Sequence, residues 1–225
     1  VPKPGDVVAP LSRVSLGLPV RFVLPAHSPG QRPSPPLPFL AVLGRSNVGK
    51  SSLLNAVLGV KVARVSQSPG RTQALYWYRA GDAFDVVDCP GYGFAKTGQK
   101  ERALFADLIE TLLTGSPAPT LALLLVDGRL EPQESDRSMA LFLRSHGVPA
   151  VIAATKWDAV KASQRVRQER ALKAEYQPSC NAFLCISVET GENLKILLNL
   201  IRSHLSPPEF PSREENPLKN PIQES

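Results

Sequence analysis

From residue 39 to residue 205, short apolar runs of strand length alternate with segments whose apolar positions recur every three to four residues. Residues 39–43, 121–126 and 150–154 are apolar throughout, as strands buried on both faces are. Residues 75–79 and 84–88 read as two strands joined at Ala80-Gly81-Asp82, a hairpin signal, and 182–186 reads as a sixth strand. Helices are expected over 50–58, 100–113, 132–145, 158–175 and 192–205. The second should carry Leu104, Phe105, Leu108 and Leu112 on one face, the third Pro132 in its first turn, and the fourth Asp158 near its start. Such alternation predicts an α/β fold: a mostly parallel six-stranded sheet with one antiparallel strand and helices on both faces. Ligands of such sheets bind beyond the carboxyl ends of the strands, so the residues there carry the functional question.

Outside this unit the pattern dissolves. Ten of the 22 prolines fall in residues 1–38 and five in 206–225. Gln31 to Pro38 reads as an extended, polyproline-like lead-in, and the polar, Pro-broken stretch after residue 205 as a flexible tail. The expected division is a Pro-rich extension over 1–38, in which the apolar stretch 20–24 could add an edge strand, a folded domain over 39–205, and a tail over 206–225. The formal charge of +6 belongs mostly to the folded domain, because the extension carries three positive charges in excess and the tail two negative. That balance raises nucleic acid as a partner. The longest clean apolar run, 121–126, falls far short of the ~20 residues a membrane span needs. No charged stretch followed by an apolar one opens the chain as a secretory signal would. Cys89, Cys180 and Cys185 make neither a disulfide framework nor a Cys-x-x-Cys metal pair. A reducing, cytoplasmic setting without a membrane partner is the expectation.

The strand ends carry recognisable chemistry. After the first strand comes Gly44-Arg45-Ser46-Asn47-Val48-Gly49-Lys50-Ser51, the G-x-x-x-x-G-K-[ST] phosphate loop. Its glycines let consecutive backbone N–H groups close around phosphate oxygens, and the helix that follows adds its positive end. Lys50 would bridge the β- and γ-phosphates and Ser51 would bind Mg²⁺. After the third strand, Asp88-Cys89-Pro90-Gly91 places a second Mg²⁺-directed carboxylate and an amide, that of Gly91, for the γ-phosphate. After the fifth, Thr155-Lys156-Trp157-Asp158 has the form that reads guanine in GTP-binding proteins. A carboxylate at Asp158 accepts from both the ring N1–H and the exocyclic amino group, a donor pair adenine lacks. The alternative for Asp158 is a helix cap. After the sixth, Ile186-Ser187-Val188 could offer a backbone N–H to the guanine O6. The polar loop Ser66–Gln73 suits a switch, with Thr72 as the second hydroxyl for Mg²⁺ when a γ-phosphate is present.

Taken together, Gly44 to Asn55, Pro69-Gly70-Arg71-Thr72-Gln73, Asp88 to Ala95 and Thr155 to Asp158 resemble the EngB family, also called YihA or YsxC, of bacterial GTP-binding proteins. The Pro-Gly-Arg-Thr-Gln switch and the Asp-x-Pro-Gly-Tyr-Gly-Phe-Ala stretch are the specific part of the resemblance, which spans about 39–205. It implies a Ras-like P-loop G domain that binds GTP or GDP with Mg²⁺, hydrolyses GTP, and serves large ribosomal subunit assembly with a link to cell division and septation. The partner implied is a large-subunit precursor or its rRNA, and the chain is expected as a monomer. The resemblance also extends the nucleotide-binding set to Ser52, and to Gly70, Arg71 and Gln73 beside Thr72. Lys50, Thr72, Gly91 and Asn47 are the residues it puts nearest the chemistry. Two positions depart from the family: Cys89, where Leu is usual, and Val188, where Ser or Ala is usual.

Tyr92 follows Gly91, where related GTPases that carry Gln use it to orient the attacking water. Tyr cannot do that, so intrinsic hydrolysis should be slow. A monovalent cation, K⁺, held in part by Asn47, could substitute; so could Arg71 in cis, or a partner surface. Lys161, Arg165, Arg167, Arg170 and Lys173 crowd one helix, and Lys96, Lys100 and Arg102 follow the second switch. These fit either solvated surface or RNA contact. Tyr76, Trp77 and Tyr78 fit core packing better than base stacking. The competing function is a GTP-dependent adaptor in division or signalling that makes no RNA contact.

Overall fold

The computed structural model describes residues 7–8, 15–28, 30–60, 74–92 and 99–205. The expected switch loop with Gly70, Arg71, Thr72 and Gln73, the basic Lys96 and the tail after residue 205 lie outside the described residues. Eight strands, β1 (Val7–Val8), β2 (Val20–Ala26), β3 (Phe39–Gly44), β4 (Leu75–Ala80), β5 (Phe84–Asp88), β6 (Leu121–Asp127), β7 (Ala150–Thr155) and β8 (Ala182–Cys185), form one sheet in the order β1-β2-β4-β5-β3-β6-β7-β8. From β5 through β3, β6 and β7 to β8 the strands run parallel, and β4 is antiparallel to β5. This is the expected six-stranded arrangement, extended by β2 and the two-residue β1 on the β4 edge.

The uniformly apolar runs acquire an alternation in destination. Leu40 and Val42 of β3 and Leu121, Leu123 and Leu125 of β6 pack on one face with α1 (Lys50–Leu58) and α5 (Leu194–Leu205). Phe39, Ala41 and Leu43, with Ala122, Leu124 and Val126, pack on the other with α2 (Gln99–Thr114), α3 (Glu134–Ser145) and α4 (Ala162–Tyr176). Both faces are covered, which is why no polar residue interrupts these strands. Trp77 and Tyr78 are buried, one on each face, as packing residues.

Three helix expectations shift. On α2 Leu108 and Leu112 are buried as expected, together with Ile109 and Leu113, while Leu104, expected on the same face, is 70% exposed. α3 starts at Glu134 behind Gln133, leaving Pro132 ahead of the first turn. The helix expected from Asp158 begins at Ala162: residues Trp157–Ala159 form a separate 3₁₀ turn, and Val160 and Lys161 are extended. Asp158 therefore does not cap α4.

The proline-rich lead-in is ordered by side chains from the domain. Proline has no N–H to offer, so its carbonyls must find donors elsewhere. Arg79, buried in a two-bond pair with Asp85 (2.7 and 2.9 Å), also donates to Pro35 O at 2.7 Å. Pro25 sits in β2 where, among the described residues, β4 pairs with it and β1, which reaches Val20 and Arg21, does not. Ahead of β2, Leu16 N donates to Val57 O at the end of α1 (2.8 Å), and Arg202 of α5 donates to Ser15 O and Leu16 O.

Candidate functional site

The phosphate loop leaves β3 at Gly44, and only glycine fits there. A Cβ would lie 2.9 Å from Val48 Cγ1 and 3.0 Å from Leu125 O, on a backbone already at φ +154°. Asn47 (φ 62°) and Gly49 (φ 105°) turn the chain back through the left-handed region, which asparagine and glycine tolerate best. Val48 points inward and is buried, so it anchors the loop. The first helical bond of α1 runs from Leu53 N to Gly49 O (3.0 Å), and the amides of Lys50, Ser51 and Ser52 stand ahead of it. No side chain caps this end and no acidic residue occupies its first turn. The result is an anion-receiving helix terminus. Arg45 Nε and Ser46 Oγ, in the same loop, are buried polar atoms without a partner among the described residues. A phosphate chain is the group this cradle fits.

Lys50 pairs with Asp88, which ends β5 nearly buried. Beyond it the chain stays on β3 and then the phosphate loop: Cys89 N donates to Val42 O (3.1 Å) and Ser46 N to Tyr92 O (3.1 Å). A Cβ at Gly91 would lie 2.7 Å from Ser46 Oγ, so this approach requires glycine. Cys89 and Pro90 are buried. Burial pushes the Cys89 thiol well above its ordinary value, reinforced by Asp88, and leaves it a small apolar residue.

The guanine-type loop is fastened to the phosphate loop. Thr155 is buried, and its hydroxyl lies 2.6 Å from Val48 O and 3.1 Å from Val126 O. Lys156, in a left-handed conformation, donates to Asn47 O at 2.5 Å and to Asp127 Oδ2 at 2.9 Å. Trp157 is buried and its N–H donates to Ile186 O (3.1 Å), tying β7's end to β8's. Asp158 is exposed, and its Oδ1 accepts from Ser187 Oγ at 2.6 Å. Ser187 is fully buried, and its own N–H is taken by Glu192 O (3.2 Å). The amide left for a ligand in that turn therefore comes after Ser187, at Val188 or Glu189. The residues expected after β3, β5, β7 and β8 thus come together at the carboxyl end of the parallel strands.

Three contacts around the site are not legible in the motifs. Asp127 ends β6 between the two loops. Burial opposes its charge, yet hydrogen bonds from Arg129 and Lys156 hold its carboxyl at about 2, so it is an anionic anchor for Lys156 at any physiological pH. Its position at a strand's carboxyl end was the available signal. Arg165, grouped at first with the basic surface, instead donates to Trp157 O (2.9 Å), Val160 O (3.3 Å) and Glu192 Oε2 (3.3 Å), bracing the guanine-type loop from α4. Tyr92 donates to Asp136 Oδ1 of α3 at 2.9 Å.

Comparisons with known proteins agree with this geometry. Residues 39–156 match the family described as "50S ribosome-binding GTPase". The "Probable GTP-binding protein EngB" of Thermotoga petrophila is 40% identical over 187 residues, covering 83% of this chain and 96% of that protein. Its namesake from Latilactobacillus sakei is 39% identical over 175 residues, covering 76% and 87%. Among solved structures, "a probable GTP-binding protein engB" superposes with a TM-score of 0.60 at 26% identity, over 73% of this chain and 97% of that one. Era in complex with MgGDPNP and a 16S ribosomal RNA fragment shares the fold with a TM-score of 0.62 at 23% identity, over 80% and 60%. A carboxyl end of the sheet that builds a phosphate cradle beside a guanine-type loop, in a chain this similar to these relatives, belongs to a GTP-binding and GTP-hydrolysing protein of the EngB family.

Proposed function

We propose that this chain is a GTP-gated switch in the assembly of the large ribosomal subunit, with slow hydrolysis of its own and normal cell division depending on that role. The observation that carries the reading is the packing of Gly91 on Ser46 beside the Lys50–Asp88 pair. It puts the amide that would meet a γ-phosphate on the cradle that would hold the β-phosphate, so the third phosphate can be felt where the second switch begins. Lys50 would reach the β- and γ-phosphates. Ser51 and Asp88, a hydroxyl and a carboxylate, are the hard oxygen donors Mg²⁺ takes, with Thr72 as the further hydroxyl; the ion would neutralise charge on the β- and γ-oxygens. Asp158 would accept from the guanine edge, and the amide of Val188 or Glu189 would meet O6.

Slow turnover follows from Tyr92, whose hydroxyl is committed to Asp136 and which has no side-chain amide to orient a water. K⁺ would fit at Asn47, whose exposed side chain leaves the loop in the left-handed conformation. The ribosomal direction is supported by the family match and by Lys161, Arg167, Arg170 and Lys173, all exposed at or along α4. The setting proposed is cytoplasmic and monomeric; no helix among the described residues is long and apolar enough to cross a membrane.

The test is GTP turnover in K⁺ and in Na⁺, with and without large ribosomal subunits. Slow turnover in Na⁺ that rises with K⁺ and rises further with subunits is the expected result. Asn47→Ala should remove the K⁺ effect, and unchanged stimulation would remove Asn47 as a ligand. Turnover indifferent to subunits would contradict the ribosomal reading.

A further inference from the structure

Tyr92 is held from two directions. Its backbone forms a parallel bridge with Arg45, and its carbonyl accepts from Ser46 N at 3.1 Å. Its ring crosses to α3, where the hydroxyl donates to Asp136 at 2.9 Å. Asp136 is 1% exposed in the first turn of α3, a place where a carboxylate usually faces solvent. A buried carboxylate is expensive unless its partners are specific. The partner here is the Tyr92 hydroxyl, and the charge of Arg45 in the phosphate loop favours the carboxylate from a distance. The cluster thus joins three elements: the phosphate loop, the start of the second switch, and α3.

We propose that Asp136 is a positioning residue for the γ-phosphate: through the Tyr92 hydroxyl it holds the Gly91–Tyr92 backbone where the Gly91 amide meets GTP. This rests on the role proposed above for Gly91. A γ-phosphate that must first order this backbone binds more weakly by the cost of ordering, so a tether already in place favours GTP. GDP uses the phosphate cradle and the guanine loop but not Gly91, so the tether leaves GDP affinity alone. A purely structural role for Asp136 would lower both affinities together.

The experiment is a titration of the full chain and its variants with GDP and with a non-hydrolysable GTP analogue. Asp136→Ala and Tyr92→Phe should each weaken the analogue on the order of 10-fold, the cost of one buried hydrogen bond to a charged group, with GDP affinity within about 2-fold of wild type. The double variant should be no weaker than the single ones, because both remove one bond. Asp136→Asn keeps an acceptor for the Tyr92 hydroxyl and should recover most of the loss. Equal losses for GDP and the analogue, or no loss in Tyr92→Phe, would overturn the assignment. The Gly91 amide resonance of labelled wild-type protein separates the two layers. If it shifts between the GDP and analogue complexes while the variants behave as wild type, Asp136 alone is misassigned. If it does not shift, the γ-phosphate role of Gly91 fails and the inference falls with it.

Discussion

Asp158→Asn should cost this protein on the order of 10³-fold or more in GTP affinity while leaving its fold intact. The guanine edge presents two donors, the ring N1–H and the exocyclic amine, and a carboxylate answers both. An amide answers one and sets its own NH₂ against the other, leaving a donor unpaired in the bound state. The carboxylate is preset, since Ser187 Oγ donates to it at 2.6 Å and Ser187 in turn accepts from Thr190 N at 3.1 Å. Little ordering remains to be done on binding, so the loss appears as affinity. Xanthine carries a carbonyl where guanine carries the amine, and the variant's NH₂ can donate to it. Xanthosine triphosphate should therefore bind the variant more tightly than it binds wild type. Calorimetric titration with the two nucleotides reads both changes; an unchanged GTP affinity would place the base elsewhere.

Lys50→Ala should lower GTP turnover by more than ~10³-fold and, separately, destabilise the nucleotide-free protein. The first effect would follow from losing the cation proposed to reach the β- and γ-phosphates. The second follows from Asp88, whose side chain is 9% exposed and whose ionic partner is Lys50 at 12%. Removing one member of a nearly buried pair leaves the other charge uncompensated, at a cost of about 3 kcal/mol. Single-turnover hydrolysis and the midpoint of chemical denaturation separate the two. Full stability with lost turnover would mean that water compensates Asp88. Retained turnover would remove Lys50 from the phosphate chemistry.

The sheet and the strand-end chemistry were legible because both are local. Apolar runs such as 121–126 announce burial on two faces, and Gly44 to Ser51 is contiguous in the chain. What was hidden depends on pairs distant in sequence. Lys156 reads only as part of the guanine-type motif, and its ammonium fastens the two loops through Asn47, 109 residues away, and Asp127. Tyr92 and Asp136 are 44 residues apart, and Asp136 belongs to no spaced motif that would point to the pair. Asp158 read as a helix start because Asp often caps; the extended backbone at Val160 and Lys161 delays α4, and Ser187 takes the carboxylate instead. Arg165 shows the same limit on a helix face. Composition groups it with four other basic residues, and only the fold shows that it is spent inside the molecule on Trp157, Val160 and Glu192.

The most direct test of a GTP-gated ribosomal switch is co-sedimentation of the protein with large ribosomal subunits at one fixed physiological salt, in GDP and in a non-hydrolysable GTP analogue. Binding that strengthens with the analogue is the expected result. Binding in neither state, or equal binding in both, would contradict it.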